Sequence, residues 1–344
     1  MPILNKRIKI GYHILPYIIG GTERFLFNLI KYIDKDKFEP IVISHAQGRV
    51  TSLFKSIAIK TNIITIGSSR GFKDLVIFLK EYKIDIVQSN YFVYVMAMAA
   101  KTANIPHVWR LGGDIRTIAR PNFSKQKIKD HIEMISTLSK KIVVPSRFLK
   151  HQLKDVVQSK INMIRNGVDI EESAKAYPVH LIKKKLGCSK DSLTVGMPAY
   201  LISQKRQVDF ILAAKKVKMF FPRIKFFVIG SCYPAKESIN YAKYLHKLVS
   251  NIGMEDNIIF TGFHKDIFGI ISAMDLVVMP SINEGSINAI LEAMALGKPT
   301  VVSRVGSNSE LIKDKVTGLL VPPKNPKKLA DAMIKILRDP KKPK

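Results

Sequence analysis

Short runs of β-branched and other apolar residues alternate with stretches of helical periodicity along the whole chain. This alternation predicts βα units and parallel sheets, because a buried parallel strand is followed by a helix that returns the chain to the same edge. In the first half, the predicted strands are Ile8–Ile14, Phe38–Ser44, Ile63–Ile66, Asp85–Gln88, His107–Leu111, Lys141–Val144 and Ile161–Ile164. In the second half, they are Leu193–Met197, Lys225–Ile229, Asn257–Phe260, Leu276–Met279, Thr300–Ser303 and Gly318–Val321.

A segment without a strand pattern separates these two sets of strands. It contains the pair Tyr177-Pro178 and a run of three lysines, which favour a connection between domains. A chain of 344 residues is long enough for about two domains. We therefore predict two doubly wound α/β domains: an N-terminal Rossmann-like domain over residues 1–172, a linker over 173–192, and a C-terminal Rossmann-like domain over 193–344.

The charge of the chain is unusual for its size. Lysine and arginine number 56 against 27 acidic residues, which gives a formal net charge of +29. Both halves share the excess, so an anionic neighbour is expected, although charge alone does not choose among nucleic acid, anionic lipid and phosphorylated small molecules. Nucleic-acid binding would need aromatic side chains interleaved with basic ones, and the candidate motifs below offer few. We therefore expect no nucleic-acid partner.

Other classes of protein are excluded by what the sequence lacks. No apolar run approaches the roughly 20 residues that span a bilayer. Cys188 and Cys232 lie far apart and outside any zinc-binding pattern, which indicates a reducing, cytoplasmic compartment. The formal D-x-D of Asp34 and Asp36 lies between a predicted helix and the second strand, where a solvated turn is expected. We expect neither a metal ion nor a cofactor.

Two motifs follow predicted strands, where ligands of open α/β sheets bind. Gly20-Gly21 comes after the first strand and opens a helix, so that backbone N–H groups and the helix dipole are available to an anion. The segment 280–299 follows the strand Leu276–Met279 and carries Glu284 and Glu292 with seven residues between them. Taken singly, the first motif is better explained as an ordinary turn between strand and helix. Likewise, two isolated glutamates are better explained as an acid in the first turn of a helix, Glu284, and a solvated surface residue, Glu292.

Taken together, the motifs resemble the retaining GT-B glycosyltransferases of family 4. The E-x7-E signature of that family is similar to PSINEGSINAILEAMALGKP at 280–299. Other matching segments occur in the same order over about residues 8 to 338: the loop Gly20–Arg24 and the ranges 144–149, 164–169, 201–205, 260–263 and 316–323. The resemblance implies a GT-B fold with two Rossmann-like domains facing a cleft. It also implies metal-independent, retaining transfer of a sugar from a nucleoside diphosphate sugar to a hydroxyl acceptor.

The resemblance also implies roles for individual residues. Lys205 would lie against the donor diphosphate, where an ammonium offsets the charge of a leaving phosphate. Glu284 would contact the sugar hydroxyls and Glu292 the ribose hydroxyls. Lys205 and Glu284 are thus the candidate catalytic residues. The remaining candidate donor-binding residues are Gly20, Gly21, Gly230, Thr261, Gly262, Phe263, Gly285, Ser286 and Ile287.

The sequence departs from the family at two positions. Ala199-Tyr200 stands where the family usually has Gly-Arg, so one cation is missing, and Arg24 and Arg206 are candidates to compensate. Gly112 holds the place of a family histidine, while His107 lies within a strand and is expected to be a core residue. These departures keep two alternatives open: a non-catalytic sugar-nucleotide-binding subunit that supports a partner enzyme, and a sugar-nucleotide epimerase.

One predicted helix bears on the membrane. In the range 124–138, Ile128, Ile132, Ile135 and Leu138 share one face, and lysines occupy the other. Such a helix either lies on anionic lipid or packs on the sheet as a crossover helix. With the net charge and the family's frequent use of lipid-borne acceptors, we expect a lipid-linked or cell-envelope glycan acceptor. We also expect peripheral association with the anionic inner face of the cell membrane.

Overall fold

The computed structural model describes residues 6–16, 19–64, 69–91, 94–115, 123–233 and 235–339. The chain divides into two compact units, residues 1–167 and 168–344, and each contains one parallel sheet. The two doubly wound domains expected from the alternation of strands and helices are therefore present. The predicted linker 173–192 contains a helix, Val179–Lys185, whose Lys183 Nζ lies 3.2 Å from an Asp275 carboxylate oxygen of the second unit.

The first unit has a seven-stranded sheet in the order β3-β2-β1-β4-β5-β6-β7. Its strands are β1 Ile8–Ile14, β2 Phe38–Ser44, β3 Thr61–Ile63, β4 Ile86–Ser89, β5 His107–Arg110, β6 Lys141–Val144 and β7 Ile161–Met163. Its helices in the described ranges are α1 Gly21–Tyr32, α2 Arg49–Lys55, α3 Ser69–Glu81, α4 Val95–Thr102, α5 Lys125–Leu138 and α6 Arg147–Gln152.

The second unit has a six-stranded sheet in the order β10-β9-β8-β11-β12-β13. Its strands are β8 Thr194–Pro198, β9 Lys225–Ile229, β10 Ile258–Gly262, β11 Leu276–Met279, β12 Thr300–Ser303 and β13 Leu319–Val321. Its helices are α7 Ile170–Ser173, α8 Val179–Lys185, α9 Gln207–Lys218, α10 Lys236–Asn251, α11 Ile267–Ser272, α12 Asn288–Ala295, α13 Asn308–Leu311 and α14 Pro326–Leu337.

The predicted strands correspond to the observed ones, with small shifts at the ends. The third strand begins at Thr61 and ends at Ile63, so the prediction of Ile63–Ile66 was displaced, and residues 65 and 66 lie outside the described ranges. Asp85 precedes β4, where its carboxylate accepts the Lys9 N–H at 2.8 Å. β10 extends to Gly262 and thereby includes two residues that were predicted to follow it.

Helices cover both faces of each sheet. In the second unit, one buried cluster joins the sheet to α9, α10 and α14, and another joins it to α8, α11 and α12. The strand order reverses between β1 and β4 in the first sheet and between β8 and β11 in the second. A crevice forms at such a switch point, beyond the carboxyl ends of the strands. The loops after β8 and β11 are therefore where a ligand of the second unit is expected.

Candidate active site

Backbone contacts join the loops after β8 and β11. The Ile282 N–H donates to the Gln204 carbonyl at 3.0 Å, and the Gln204 side-chain amide donates to the Asn283 carbonyl at 3.3 Å. Because β8 and β11 are neighbours at the switch point, the two segments that follow these strands leave the sheet side by side. Residues about eighty positions apart in sequence are thus brought into one site.

Lys205 and Glu284 form an ion pair at the centre of this site. The Lys205 Nζ lies 2.6 Å from Glu284 Oε1, and the side chains are 21% and 5% exposed, respectively. A carboxylate with so little exposure needs a paired cation, because desolvation of an unpaired charge is costly. An ammonium group has three N–H donors, and Glu284 is its only hydrogen-bond partner among the described residues. Lys205 can therefore also donate to an anion.

The loop after β12 holds the backbone of Glu284 in place. Gly306 has a positive φ of 51°, and a Cβ there would lie only 2.0 Å from the Glu284 carbonyl oxygen. That carbonyl accepts the Ser307 N–H at 3.1 Å. Only glycine permits both this φ and this approach, so Gly306 is a positioning residue that the sequence analysis missed. The sequence feature that could have identified it is a glycine three residues after the buried strand β12 of the same sheet.

We expected Glu284 to lie at the start of a helix, but it lies in the loop that precedes the helix. The helix α12 begins four residues later, at Asn288, and Ile287 caps it. Gly285, Ser286 and Ile287 thus lead from Glu284 into the helix N-terminus, where backbone N–H groups and the dipole favour an anion. Glu292, on α12, is buried, so the alternative of a solvated surface residue is wrong.

Glycines also bring together the loops after β8, β9 and β10. Gly230 has a φ of 150°, and a Cβ there would lie 2.1 Å from the Ala199 carbonyl oxygen. Gly230 also pairs with Gly262 across an isolated bridge. Thr261 ends β10 together with Gly262, and Phe263 follows with 37% of its surface exposed. The candidate nucleoside-binding residues therefore lie at the carboxyl ends of adjacent strands.

The two candidate compensating cations lie in different surroundings. The guanidinium of Arg206 forms a bidentate pair with Asp209, at 2.9 Å from Nε and 2.7 Å from Nη2. It would have to leave this pair to bind a phosphate. Arg24 lies in the first turns of α1, in the first unit, and its N–H donates to the Gly20 carbonyl at 3.0 Å. Their role as compensating cations stays a prediction.

In the first unit, the Gly20-Gly21 turn leads into α1 as predicted. Gly20 is the N-terminal cap, and its N–H donates to the Glu23 carboxylate at 2.9 Å. The other Glu23 oxygen accepts the Tyr91 hydroxyl at 2.5 Å. Burial raises the pKa of Glu23 above its usual range. Glu23, an acidic residue of the motif itself, therefore lies directly behind this turn, and its contacts with Gly20 and Tyr91 were not predicted.

His107 is a core residue, as expected. It is buried in β5, and its two ring nitrogens each lie 2.9 Å from a serine hydroxyl, of Ser89 and Ser139. Burial lowers the pKa of His107 to about 4. Arg110, three residues later, is also buried and was missed. The sequence feature that could have identified Arg110 is a basic residue at the end of a buried strand, directly before Leu111 and Gly112.

The amphipathic segment forms the helix α5, and its apolar side faces the sheet. Ile135 is buried in the core of the first unit, and Ile128 and Ile132 pack against the same cluster. Two alternatives were predicted for the apolar face, contact with lipid and packing on the sheet. The structure shows the second, a crossover helix packed on the core. The lysines at 125, 127 and 129 remain exposed.

In the described part of the chain, His, Cys, Asp and Glu side chains form no group of three or more that could hold a metal ion. No helix of the described ranges has the length and apolar character needed to span a bilayer.

Models of known families match both units. The model of glycosyl transferases group 1 matches residues 179–344, and that of glycosyltransferase family 4 matches residues 19–172. The chain is 25% identical, over 358 aligned positions, to the UDP-Gal:α-D-GlcNAc-diphosphoundecaprenol α-1,3-galactosyltransferase of Escherichia coli, with 98% of this chain and 90% of that protein covered. It is 30% identical over 184 positions to the lipopolysaccharide 1,2-N-acetylglucosaminetransferase of Salmonella typhimurium, with 52% and 48% covered.

Solved structures share the fold of the whole chain. HepE of Anabaena in complex with UDP-glucose has a TM-score of 0.87 at 24% identity and covers 98% of this chain and 91% of its own. The sheets, the switch points and this likeness define a two-domain GT-B fold. With the family models, they identify the chain as a glycosyltransferase. It belongs to glycosyltransferase family 4.

Proposed function

We propose that the chain transfers a sugar from a nucleoside diphosphate sugar to a hydroxyl of a lipid-linked or cell-envelope glycan, with retention of configuration and without a metal ion. The carrying observation is the ion pair between Lys205 and the buried Glu284, beside the loop that enters α12. A cation and a helix N-terminus on one side of a site favour a leaving diphosphate. A sugar-binding carboxylate next to them suits a glycosyl donor.

The reaction exchanges one bond at the anomeric carbon for another. The bond to the diphosphate oxygen breaks, its electron pair stays on the diphosphate, and the acceptor oxygen forms the new bond on the same face. The Lys205 ammonium neutralises part of the negative charge that develops on the leaving diphosphate, so this neutralisation does not need a metal ion. Glu284 orients Lys205 and accepts hydrogen bonds from sugar hydroxyls. The acceptor proton leaves with the diphosphate or with solvent.

The other candidate residues bind the rest of the donor in this proposal. Glu292 accepts hydrogen bonds from the ribose hydroxyls, and Gly285, Ser286 and Ile287 offer backbone amides to the sugar or phosphate. The nucleoside lies against the residues at the ends of β9 and β10, which are Gly230, Thr261, Gly262 and Phe263. Gly20 and Gly21, in the first unit, also contribute to donor binding.

The relatives support the classes of donor and acceptor. The Anabaena structures contain UDP, and one contains UDP-glucose, which favours a uridine diphosphate sugar. The names of the Escherichia coli and Salmonella typhimurium relatives specify a diphosphoundecaprenol glycan and lipopolysaccharide. We therefore propose an acceptor that carries a lipid diphosphate or belongs to an envelope glycan, reached from the cytoplasmic face of the membrane.

The test is an assay of the purified full chain with a panel of nucleotide sugars, with and without lipid-linked glycan acceptors and with EDTA. We expect release of nucleoside diphosphate that depends on an acceptor and is unchanged by EDTA. We also expect a product whose anomeric configuration, read by NMR, is that of the donor. Turnover without an acceptor would favour the epimerase. Donor binding without any turnover would favour the non-catalytic subunit. Inversion or loss of activity in EDTA would refute the corresponding part of the proposal.

A further inference from the structure

Arg206, the residue between Lys205 and the helix α9, has a left-handed backbone conformation. Its φ is 60° and its ψ is 43°, which glycine adopts readily but which costs free energy for a residue with a side chain. Lys205 ends a single helical turn, Ser203–Lys205, and α9 begins at Gln207. The direction in which the chain leaves Lys205 is therefore set at Arg206.

A buried aspartate pairs with Arg206 at this point of the chain. Asp209 is 2% exposed, and its two carboxylate oxygens accept hydrogen bonds from the guanidinium at 2.7 and 2.9 Å. Chiefly through these hydrogen bonds, the pKa of Arg206 is raised above its usual range. A bidentate pair has a fixed geometry, because the planar guanidinium and the carboxylate meet along two parallel hydrogen bonds. Such a pair can offset the cost of the left-handed backbone.

Backbone hydrogen bonds join Arg206 to the elements on both sides. Its N–H donates to the Ser203 carbonyl at 3.1 Å, and its carbonyl accepts the Asp209 N–H at 2.9 Å. The first bond closes the turn that carries Lys205, and the second belongs to the first turn of α9. A change of φ at residue 206 would rotate this turn relative to the helix. It would thereby move the Lys205 Nζ away from Glu284 Oε1, from which it lies 2.6 Å.

We propose that Asp209 and Arg206 form a positioning pair, which holds residue 206 in the left-handed conformation and thereby keeps the Lys205 ammonium on Glu284. Both members act through Lys205 and do not contact the donor. A compensating role of Arg206 at the phosphate would instead require the guanidinium to leave Asp209, and the buried carboxylate would lose both hydrogen bonds. The inference rests on the proposed function, in which Lys205 neutralises the leaving diphosphate.

Four variants of the full chain separate the two roles of Arg206 in the acceptor-dependent release of nucleoside diphosphate. Arg206→Gly permits the left-handed backbone without the guanidinium, and Arg206→Ala removes the guanidinium but disfavours that backbone. Asp209→Asn releases the guanidinium from the carboxylate. Asp331→Asn, which changes the partner of Lys216 at the surface, is the matched control. Thermal unfolding is measured for each variant, so that rates are compared on folded protein.

A positioning pair predicts that Arg206→Gly is at least about fivefold faster than Arg206→Ala, although neither carries the cation. Asp209→Asn should slow the reaction at least about tenfold, while Asp331→Asn matches wild type. Equal rates of the Gly and Ala variants would assign Arg206 to the phosphate and overturn the proposal. Asp209→Asn with a lowered thermal stability and a wild-type rate would show a purely structural role, which would also overturn it.

Crystal structures of Asp209→Asn and Asp331→Asn test the pair independently of the reaction. We expect the contact between Lys205 Nζ and Glu284 Oε1 to be kept in the control and lost in Asp209→Asn. An unchanged contact in Asp209→Asn would overturn the proposal. Loss of the contact in Asp209→Asn, together with a wild type that releases no nucleoside diphosphate, would support the positioning pair and refute the proposed transfer.

Discussion

At the scale of single residues, two ion pairs of the second unit each join a buried charge to a partner on a different element. Lys205 meets Glu284 between two loops, and Lys183 on α8 meets Asp275 ahead of β11. Removing one member of a buried pair leaves the other charge unpaired, which costs about 3–5 kcal/mol. Substitutions at Lys205 therefore act on stability as well as on catalysis, and their rates must be measured on protein that has been shown to be folded.

The buried histidine His107 predicts how stability depends on pH. Its pKa is about 6.5 in the unfolded chain and about 4 in the folded protein. As the pH falls, His107 therefore takes up a proton in the unfolded state before it does so in the folded protein. The contribution of neutral, buried His107 to the free energy of unfolding is complete above about pH 6.5 and is lost as the pH falls towards about 4. In this range, the free energy of unfolding is expected to fall by up to about 1.4 kcal/mol for each pH unit. Urea unfolding of His107→Gln between pH 7 and 4.5 should show a smaller slope than wild type, and exposed His180→Gln should not. Equal slopes in all three proteins would contradict this account.

What the sequence reveals of the site differs from residue to residue. Glu284, Glu292 and Lys205 could be singled out because the motifs that contain them resemble those of glycosyltransferase family 4. The contact between Lys205 and Glu284 could not be predicted, since it depends on the order of β8 and β11 in the sheet. Arg110 escaped notice because its environment comes from Phe25 and Asn166, which lie far away in sequence.

At the scale of elements, the strands were predictable because parallel strands covered on both faces are apolar throughout. β8 and β11, for example, are buried along their whole length. Short edge strands such as β3 carry less of this signal, and its position was displaced. The sequence predicted that Glu284 lies at the start of a helix. In the structure this position belongs to a loop, and α12 begins only at Asn288.

The helix α5 tests association with the membrane. Its apolar face is used by the core, so any attraction to lipid must come from exposed lysines. Each lysine near an anionic surface contributes about 1 kcal/mol, which salt screens. Sedimentation with anionic vesicles should decrease with salt and fall further in the triple variant Lys125→Glu, Lys127→Glu, Lys129→Glu. The matched control is the exposed set on α10, Lys236→Glu, Lys243→Glu, Lys247→Glu. Equal loss in both variants, or no binding by wild type, would contradict a membrane-facing role for α5.

At the scale of the whole molecule, both units repeat one arrangement. Each sheet reverses its strand order once, and each reversal adjoins a loop with glycines that leads towards a helix. Lysine and arginine exceed acidic residues by 14 in residues 1–172 and by 15 in residues 173–344. A positive field of this kind raises the local concentration of phosphorylated ligands. This field suits the nucleoside diphosphate donor that we propose, whose diphosphate would lie against Lys205 of the second unit.

The central claim is that Lys205 and Glu284 carry the transfer. The most direct measurement is the acceptor-dependent release of nucleoside diphosphate by wild type, Lys205→Ala, Glu284→Gln and the control Lys216→Ala, whose ion pair with Asp331 lies at the surface. Thermal unfolding establishes beforehand that each variant is folded. We predict that Lys205→Ala and Glu284→Gln each lower the rate at least about 100-fold, while Lys216→Ala matches wild type. Folded Lys205→Ala or Glu284→Gln with wild-type rates would contradict the claim.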